Sequence, residues 1–198
     1  MSKRRYGGEQ TKNHIADQAK TLFSQKGYAA TSMDDICNAT GRSIGNIYYY
    51  FKSKDDLFLY LVEQTFTEWR KQLQEIFSQY ESTTEKLYAY SDFLAGIERP
   101  LHSVEREFIS IVGVDSEAGQ KFMTMLNESF TEFQKLISEG IAGGELKNED
   151  LFELTFIVTS FYGGLSRYAS LMDKDTKKVI FQKGTTLLLQ GIINRNHT

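Results

Sequence analysis

Apolar positions along the chain recur almost everywhere at the three-and-four spacing of helices that bury one face. From Thr11 to Lys26, Ile15, Ala19, Leu22 and Phe23 keep this spacing, and Gly27 ends the run. A longer stripe at Phe58, Val62, Phe66, Trp69, Leu73, Ile76 and Tyr80 predicts one helix over 54–80, roughly 40 Å long at about 1.5 Å per residue. Asp55 and Asp56 at its start suit the positive end of the helix dipole. Beyond the cap cluster Ser82, Thr83 and Thr84 a helix is predicted over 87–97, and Pro100, the only proline, separates it from another over 102–112. Helices over 116–141, with Gly143 and Gly144 at its exit, over 149–172, with Asn148 as its cap, and over 175–193 complete an all-α pattern.

Within this pattern the stretch 31–57 holds two short helices joined by a tight turn. Thr31 or Ser32 can accept a hydrogen bond from an orphan backbone N–H, with Asp34 or Asp35 placed for a capping box. The first helix ends near Thr40, where Gly41 offers a left-handed residue, and Ser43 can cap the second. At 100° per residue, Ile44, Ile47, Tyr48 and Phe51 share one arc, and Gly45, Asn46, Tyr49 and Tyr50 the opposite one. The first arc is read as core and the second as exposed. An exposed arc of tyrosines and asparagine, flanked by Arg42, Lys52 and Lys54, has the donors, base-edge groups and charge that bind duplex DNA. The alternative is that another helix covers Tyr49 and Tyr50.

These residues resemble the DNA-binding domain of the tetracycline-repressor (TetR) family. The resemblance is carried by Thr31, Ile36, Gly41, Ser43 and Gly45, the run Ile47-Tyr48-Tyr49-Tyr50-Phe51, and Lys52-Ser53-Lys54-Asp55-Asp56-Leu57. Upstream, Ile15, Ala19, Leu22, Phe23, Gly27 and Tyr28 stand in family order. Two departures bear on the operator sequence: Tyr50 stands where histidine is common, and Arg42 where the turn has an apolar residue. The resemblance is specific over roughly the first 60 residues and architectural beyond them. It implies an N-terminal three-helix helix-turn-helix domain, residues 1–54 with a flexible arm over 1–10, joined to a C-terminal helical ligand-binding and dimerisation bundle, residues 55–198. The DNA-facing set is then Thr31, Ser32, Arg42, Ser43, Gly45, Asn46, Tyr48, Tyr49, Tyr50 and Lys54, with Lys3, Arg4 and Arg5 in the arm. The partner is double-stranded operator DNA.

Charge changes the picture more than composition does. The net charge of −3 hides a division: residues 1–54 carry nine Lys or Arg and four Asp or Glu, whereas residues 55–198 carry fourteen and twenty-two. A head at +5 on a body at −8 fits DNA binding confined to one end. No apolar run of about 18 residues and no signal-peptide core occur, so a cytoplasmic protein without a membrane span is expected. The single cysteine, Cys37, reads as a small buried apolar residue. His14, His102 and His197 sit at unrelated positions, and no metal pair, nucleophile elbow or phosphate loop appears. Neither enzymatic activity, nor a cofactor, nor a metal is expected.

The last two predicted helices are apolar on more than one face, which fits an isologous homodimer interface, with wholly intrachain burial as the alternative. Ile157, Phe161, Gly164, Leu165, Tyr168, Ile180, Leu187 and Gly191 are its candidates, and Gly163, Gly164 and Gly191 would admit a neighbouring backbone. The body is also rich in aromatics. Because bodies of this family hold an effector, Trp69, Tyr88, Phe108, Phe130 and Tyr162, with Glu105 or Arg167 as orienting charge, are the candidate pocket for a lipophilic small molecule, a cationic one suiting the acidic body. The expected protein is a repressor released from a palindromic operator by that molecule. Its rivals are a regulator controlled by a protein partner and an all-helical enzyme with an apolar cavity.

Overall fold

The computed structural model describes residues 3–169 and 171–192, with residues 3–6 described by their backbone. Ile193 and His197 lie outside them, as do the side chains of Lys3, Arg4 and Arg5. The described chain is helical: α1 (Lys3–Lys26), α2 (Met33–Thr40), α3 (Ile44–Tyr50), α4 (Lys54–Phe77), α5 (Thr83–Gly96), α6 (His102–Val112), α7 (Glu117–Ala142), α8 (Leu151–Ala169) and α9 (Lys174–Ile192). No strand occurs among the described residues. None of these helices is long and apolar enough to cross a membrane.

Two compact units form, and their boundary differs from a cut after residue 54. One comprises the chain up to Thr67 together with Arg99–Leu126; the other comprises Glu68–Glu98 and the chain from Asn127. The reason is burial. Ile15, Ala19 and Phe23 of α1, Ile36 of α2 and Ile47 of α3 are too few to close a core alone. They share one with Leu57, Phe58, Leu61 and Val62 of α4 and with Val104 and Phe108 of α6. Helices α4 and α7 each contribute residues to both units. Within the stretch 1–10, read from the sequence as an arm, α1 is helical from Lys3.

The second unit packs Leu73, Leu87, Tyr90, Leu94, Phe133, Ile137, Val158, Tyr162, Phe181 and Leu189 into its own core. Tyr162 is buried whole, and its hydroxyl lies 3.0 Å from Thr185 Oγ1 and donates to the Leu87 carbonyl at 3.3 Å. Burial pushes that phenol up to about 12. Helix ends follow local chemistry. Ser82 and Glu85 form a capping box on α5, and the Glu145 carboxylate accepts the N–H groups of Thr83 at 2.8 Å and Thr84 at 3.1 Å. Asp150, not Asn148, caps α8, its Oδ1 accepting from the Glu153 N–H at 2.9 Å. Asp173 caps α9 through Thr176, whose bonds hold its carboxyl below the usual range.

Candidate nucleic-acid interface

Helices α2 and α3 form the expected helix-turn-helix. Ser32 caps α2, accepting from the Asp35 N–H at 3.1 Å while the Asp35 carboxylate accepts from the Ser32 N–H at 2.9 Å. That backbone bond and Lys26 at 2.9 Å hold the Asp35 carboxyl well below its ordinary range. Gly41 closes α2 at φ 63°, in the left-handed region that favours glycine, and lets the chain reverse within three residues. Ser43 then caps α3, accepting from the Asn46 N–H at 3.3 Å.

The recognition helix buries less than its arc predicts. Ile47 is fully buried, and Phe51 just beyond the helix is nearly so, but Ile44 is 42% and Tyr48 47% exposed. A helix of seven residues has two turns, and Ile47 is the one side chain it buries fully in the core, with Tyr50 packed half-buried against it. Tyr48 therefore joins the outward set. Tyr49 is 80% exposed, so none of the described helices covers it, and its ring meets Tyr50 edge-on at 4.9 Å. Tyr50 is only half-buried, beside Gly8 of α1. Arg42, Ser43 and Gly45 are exposed, with open space where a Gly45 side chain would stand. Asn46 is less open than expected, and its Oδ1 is buried without a hydrogen-bond partner among the described residues.

Two residues expected at the DNA face point elsewhere. Thr31 is buried, and its hydroxyl donates to the Gly27 carbonyl at 2.7 Å. Lys54 turns inward: its Nζ donates to the carbonyls of Tyr28 at 2.9 Å and Thr31 at 3.0 Å and sits 4.3 Å from the centre of the Tyr28 ring. Around Tyr28 the head is tied together. Its ring packs edge-on against Phe58 of α4 and Phe108 of α6, and its hydroxyl donates to Asp55 in a very short bond. Burial and that carboxylate push the phenol far above its usual range. From α6, Glu107 accepts the N–H groups of Tyr28 and Ala29. No sequence signal marks Glu107, because its partners are backbone groups nearly eighty positions away. Burial likewise raises the Cys37 thiol, half-buried against the same core.

The effector candidates do not converge. Within the second unit a cavity of about 50 Å³ lies between α4 and α7, lined by Trp69, Leu73, Phe77 and Phe133 with the polar Arg70, Gln74 and Glu132. Of the seven expected residues, Trp69 alone lines it; its Nε1 is buried with no hydrogen-bond partner among the described residues. Phe108 is instead core of the first unit, packed on Tyr28, Phe58 and Phe122. Glu105 is buried in that unit with Arg99 at 3.4 Å, and burial raises its carboxyl despite the arginine. Tyr88 meets Thr186 of α9 at 2.9 Å, Phe130 packs on Phe152, and Arg167 is exposed beside Tyr168.

The expected dimer residues divide. Ile157, Tyr168 and Leu187 are exposed, as are Gly164 and Gly191, with nothing near a side chain placed at either glycine. Phe161 and Leu165 are partly buried within the chain, where they close on Gly184; a Cβ there would lie 2.9 Å from Phe161. Within α8 and α9 it is thus Gly184, rather than Gly163, Gly164 or Gly191, that admits a close neighbour. Ile180 is partly buried. Phe152, Phe156 and Val179 are exposed as well, and the spacing of the first two opposite buried Leu154 and Val158 on α8 is legible in the sequence.

A capped, glycine-turned pair of short helices that presents tyrosines to solvent defines a helix-turn-helix DNA-binding protein. The profile of bacterial regulatory proteins of the tetR family matches residues 15–61, and that of the QacR-like protein C-terminal region matches residues 65–194. The chain belongs to the tetR family of transcriptional regulators. The regulator QacR of Staphylococcus aureus is 25% identical over 183 residues, 91% of this chain and 97% of that one. IcaR of Staphylococcus epidermidis, named a negative transcriptional regulator of a biofilm operon, is 38% identical over 55 residues, 28% of this chain and 30% of its own. Among solved structures, FadR from Bacillus subtilis, in complex with stearoyl-CoA, matches with a TM-score of 0.71 at 20% identity, covering 90% of this chain and 98% of that one, a likeness of fold.

Proposed function

We propose that this regulator is a repressor that occupies a roughly palindromic operator as a homodimer and leaves it when a lipophilic small molecule binds the second unit. The observation that carries the reading is α3: one buried side chain, Ile47, anchors it, while Arg42, Ser43, Gly45, Tyr48 and Tyr49 face outward. Those side chains offer hydroxyl donors to phosphate and base edges, and a guanidinium to phosphate or guanine. The negative sign agrees with the role of IcaR as a negative regulator.

Dimerisation is supported by the large apolar side chains that α8 and α9 leave exposed, among them Phe152, Phe156, Ile157, Tyr168, Val179 and Leu187. Apolar exposure of this extent is costly on a monomer, and an isologous pairing would bring two heads to the two halves of an inverted repeat. Support for an effector comes from the aromatic cavity at Trp69, whose buried indole N–H has no hydrogen-bond partner among the described residues, and from the stearoyl-CoA bound by FadR. At about 50 Å³ the cavity admits only a small part of a drug-sized ligand, so binding requires α4 and α7 to open further. Helix α4 runs without a break from the head into the wall of this cavity, which makes it the element through which occupancy would reach the operator.

Selection from a random DNA pool tests the first half: the protein should enrich an inverted repeat. For the second, a tenfold loss of operator affinity requires about 1.4 kcal/mol of differential effector binding. Linkage then demands that saturating operator weaken effector binding tenfold. Equal effector affinities with and without operator would show a ligand that binds without regulating.

A further inference from the structure

Glu107 has no place at the DNA face or in the cavity, yet it is built into the head. Its Oε2 accepts the Tyr28 N–H at 2.9 Å and its Oε1 accepts the Ala29 N–H at 3.0 Å, so both carboxylate oxygens serve one peptide turn. The next residue, Phe108, packs on the same turn, its ring edge-on to that of Tyr28 at 4.9 Å. Gly27 makes the approach possible. It sits at φ 85°, and a Cβ there would stand 2.6 Å from Glu107 Oε2. The Tyr28 and Thr31 carbonyls of this segment are meanwhile taken by Lys54. The segment between α1 and α2 therefore has its amides fixed by α6 and its carbonyls fixed by α4.

We propose that Glu107 is a positioning residue for operator binding: its carboxylate docks the α1–α2 turn on α6, and α2 and α3 hold their DNA-binding orientation only while that dock is made. The inference rests on the operator-binding reading of α3 and extends it to a residue that meets no DNA. Charge-assisted bonds to backbone N–H groups are stronger than neutral ones, and without them the buried Tyr28 amide is left without a partner. The turn then shifts, and Ser32 and α2 shift with it. An anionic side chain would repel phosphate, so any affinity it confers must act through this geometry.

The test uses the full-length protein and the sequence that the parent enriches from a random pool. Glu107→Gln keeps the size but presents an NH2 to one of the two N–H groups, so one bond is lost along with the charge. Operator affinity should fall fivefold or more, the slope of log K against log salt should stay that of the parent, and the backbone amide resonances of Asn46 and Tyr49 should move. Loss of a phosphate contact would instead lower the slope by about 1. Glu107→Asp, which reaches only one amide, should lie between, and Arg106→Ala, a change at the exposed neighbour on α6, should bind like the parent. Affinity of folded Glu107→Gln within twofold of the parent, a gain in affinity, or a shallower slope would overturn the proposal. A parent that enriches no sequence would instead fail the operator reading, and unmoved α3 amides in Glu107→Gln would still refute the dock.

Discussion

Lys54 and Thr31 are joined by a hydrogen bond of 3.0 Å from the lysine ammonium to the threonine carbonyl, so the first residue of α4 holds the chain just before the cap of α2. A second bond of 2.9 Å reaches the Tyr28 carbonyl. Lys54→Met keeps the aliphatic stem and removes both. Hydrogen bonds to charged groups contribute about 1.5–3 kcal/mol each, and partial exposure places the expected loss near the lower end of that range. Urea denaturation should show a lower midpoint at unchanged m. A variant as stable as the parent would return Lys54 to the solvent-facing residues.

Tyr49→Ala is the opposite case. The side chain is 80% exposed, and its removal should change stability by less than about 0.5 kcal/mol. Operator affinity should fall all the same. Where the phenol bonds a phosphate the loss is uniform across sequences, and where it meets a base edge the enriched sequence relaxes at one position. Binding equal to the parent on every sequence would remove Tyr49 from the interface.

Glu105 sets a pH dependence. Burial raises its folded pKa, with Arg99 opposing, so between the ordinary carboxylate value and the raised one the native state keeps a proton that the unfolded chain has released. Stability therefore falls as pH rises through that window, and the loss is complete above it. In Glu105→Gln this contribution is absent. Denaturation midpoints of the two proteins, followed from pH 4 to 8, should diverge in favour of the variant as pH rises through the window and then run parallel. A constant difference across the range would refute the assignment.

The outward face of α8 and α9 should respond to charge. Leu187 is 60% and Ile157 55% exposed, so Leu187→Glu and Ile157→Glu cost little within the chain. In a dimer paired through that face each would bury an unpaired carboxylate twice. Sedimentation at micromolar concentration should give a dimer for the parent and folded monomers for the variants. A parent monomer would exclude the pairing.

The head was legible in the sequence because its signals are local. Ser32 with Asp35, Gly41 and Ser43 act within three residues of what they cap, and the structure places each as the spacing predicts. What periodicity could not reach are choices made between distant elements. Lys54 beside a basic flank looks like a phosphate ligand until the carbonyls of Tyr28 and Thr31 are seen to take it. Phe108 and Phe130 carry equal apolar signal, yet one closes the core around Tyr28 and the other lies on Phe152. The arc drawn through α3 failed at Ile44 and Tyr48 because a seven-residue helix buries one side chain, Ile47, with Tyr50 half-buried beside it.

That narrow attachment separates two demands that most helices must satisfy at once. Within α3, Ile47 and the half-buried Tyr50 answer to folding; Gly45, Tyr48 and Tyr49 answer to whatever the helix meets. Selection can therefore rewrite the text this protein reads without first finding a compensating change in its interior. A lineage carrying this head can part company over which genes it silences while the scaffold beneath stays the same. A library randomised at the exposed positions should yield mostly folded proteins and a spread of new targets.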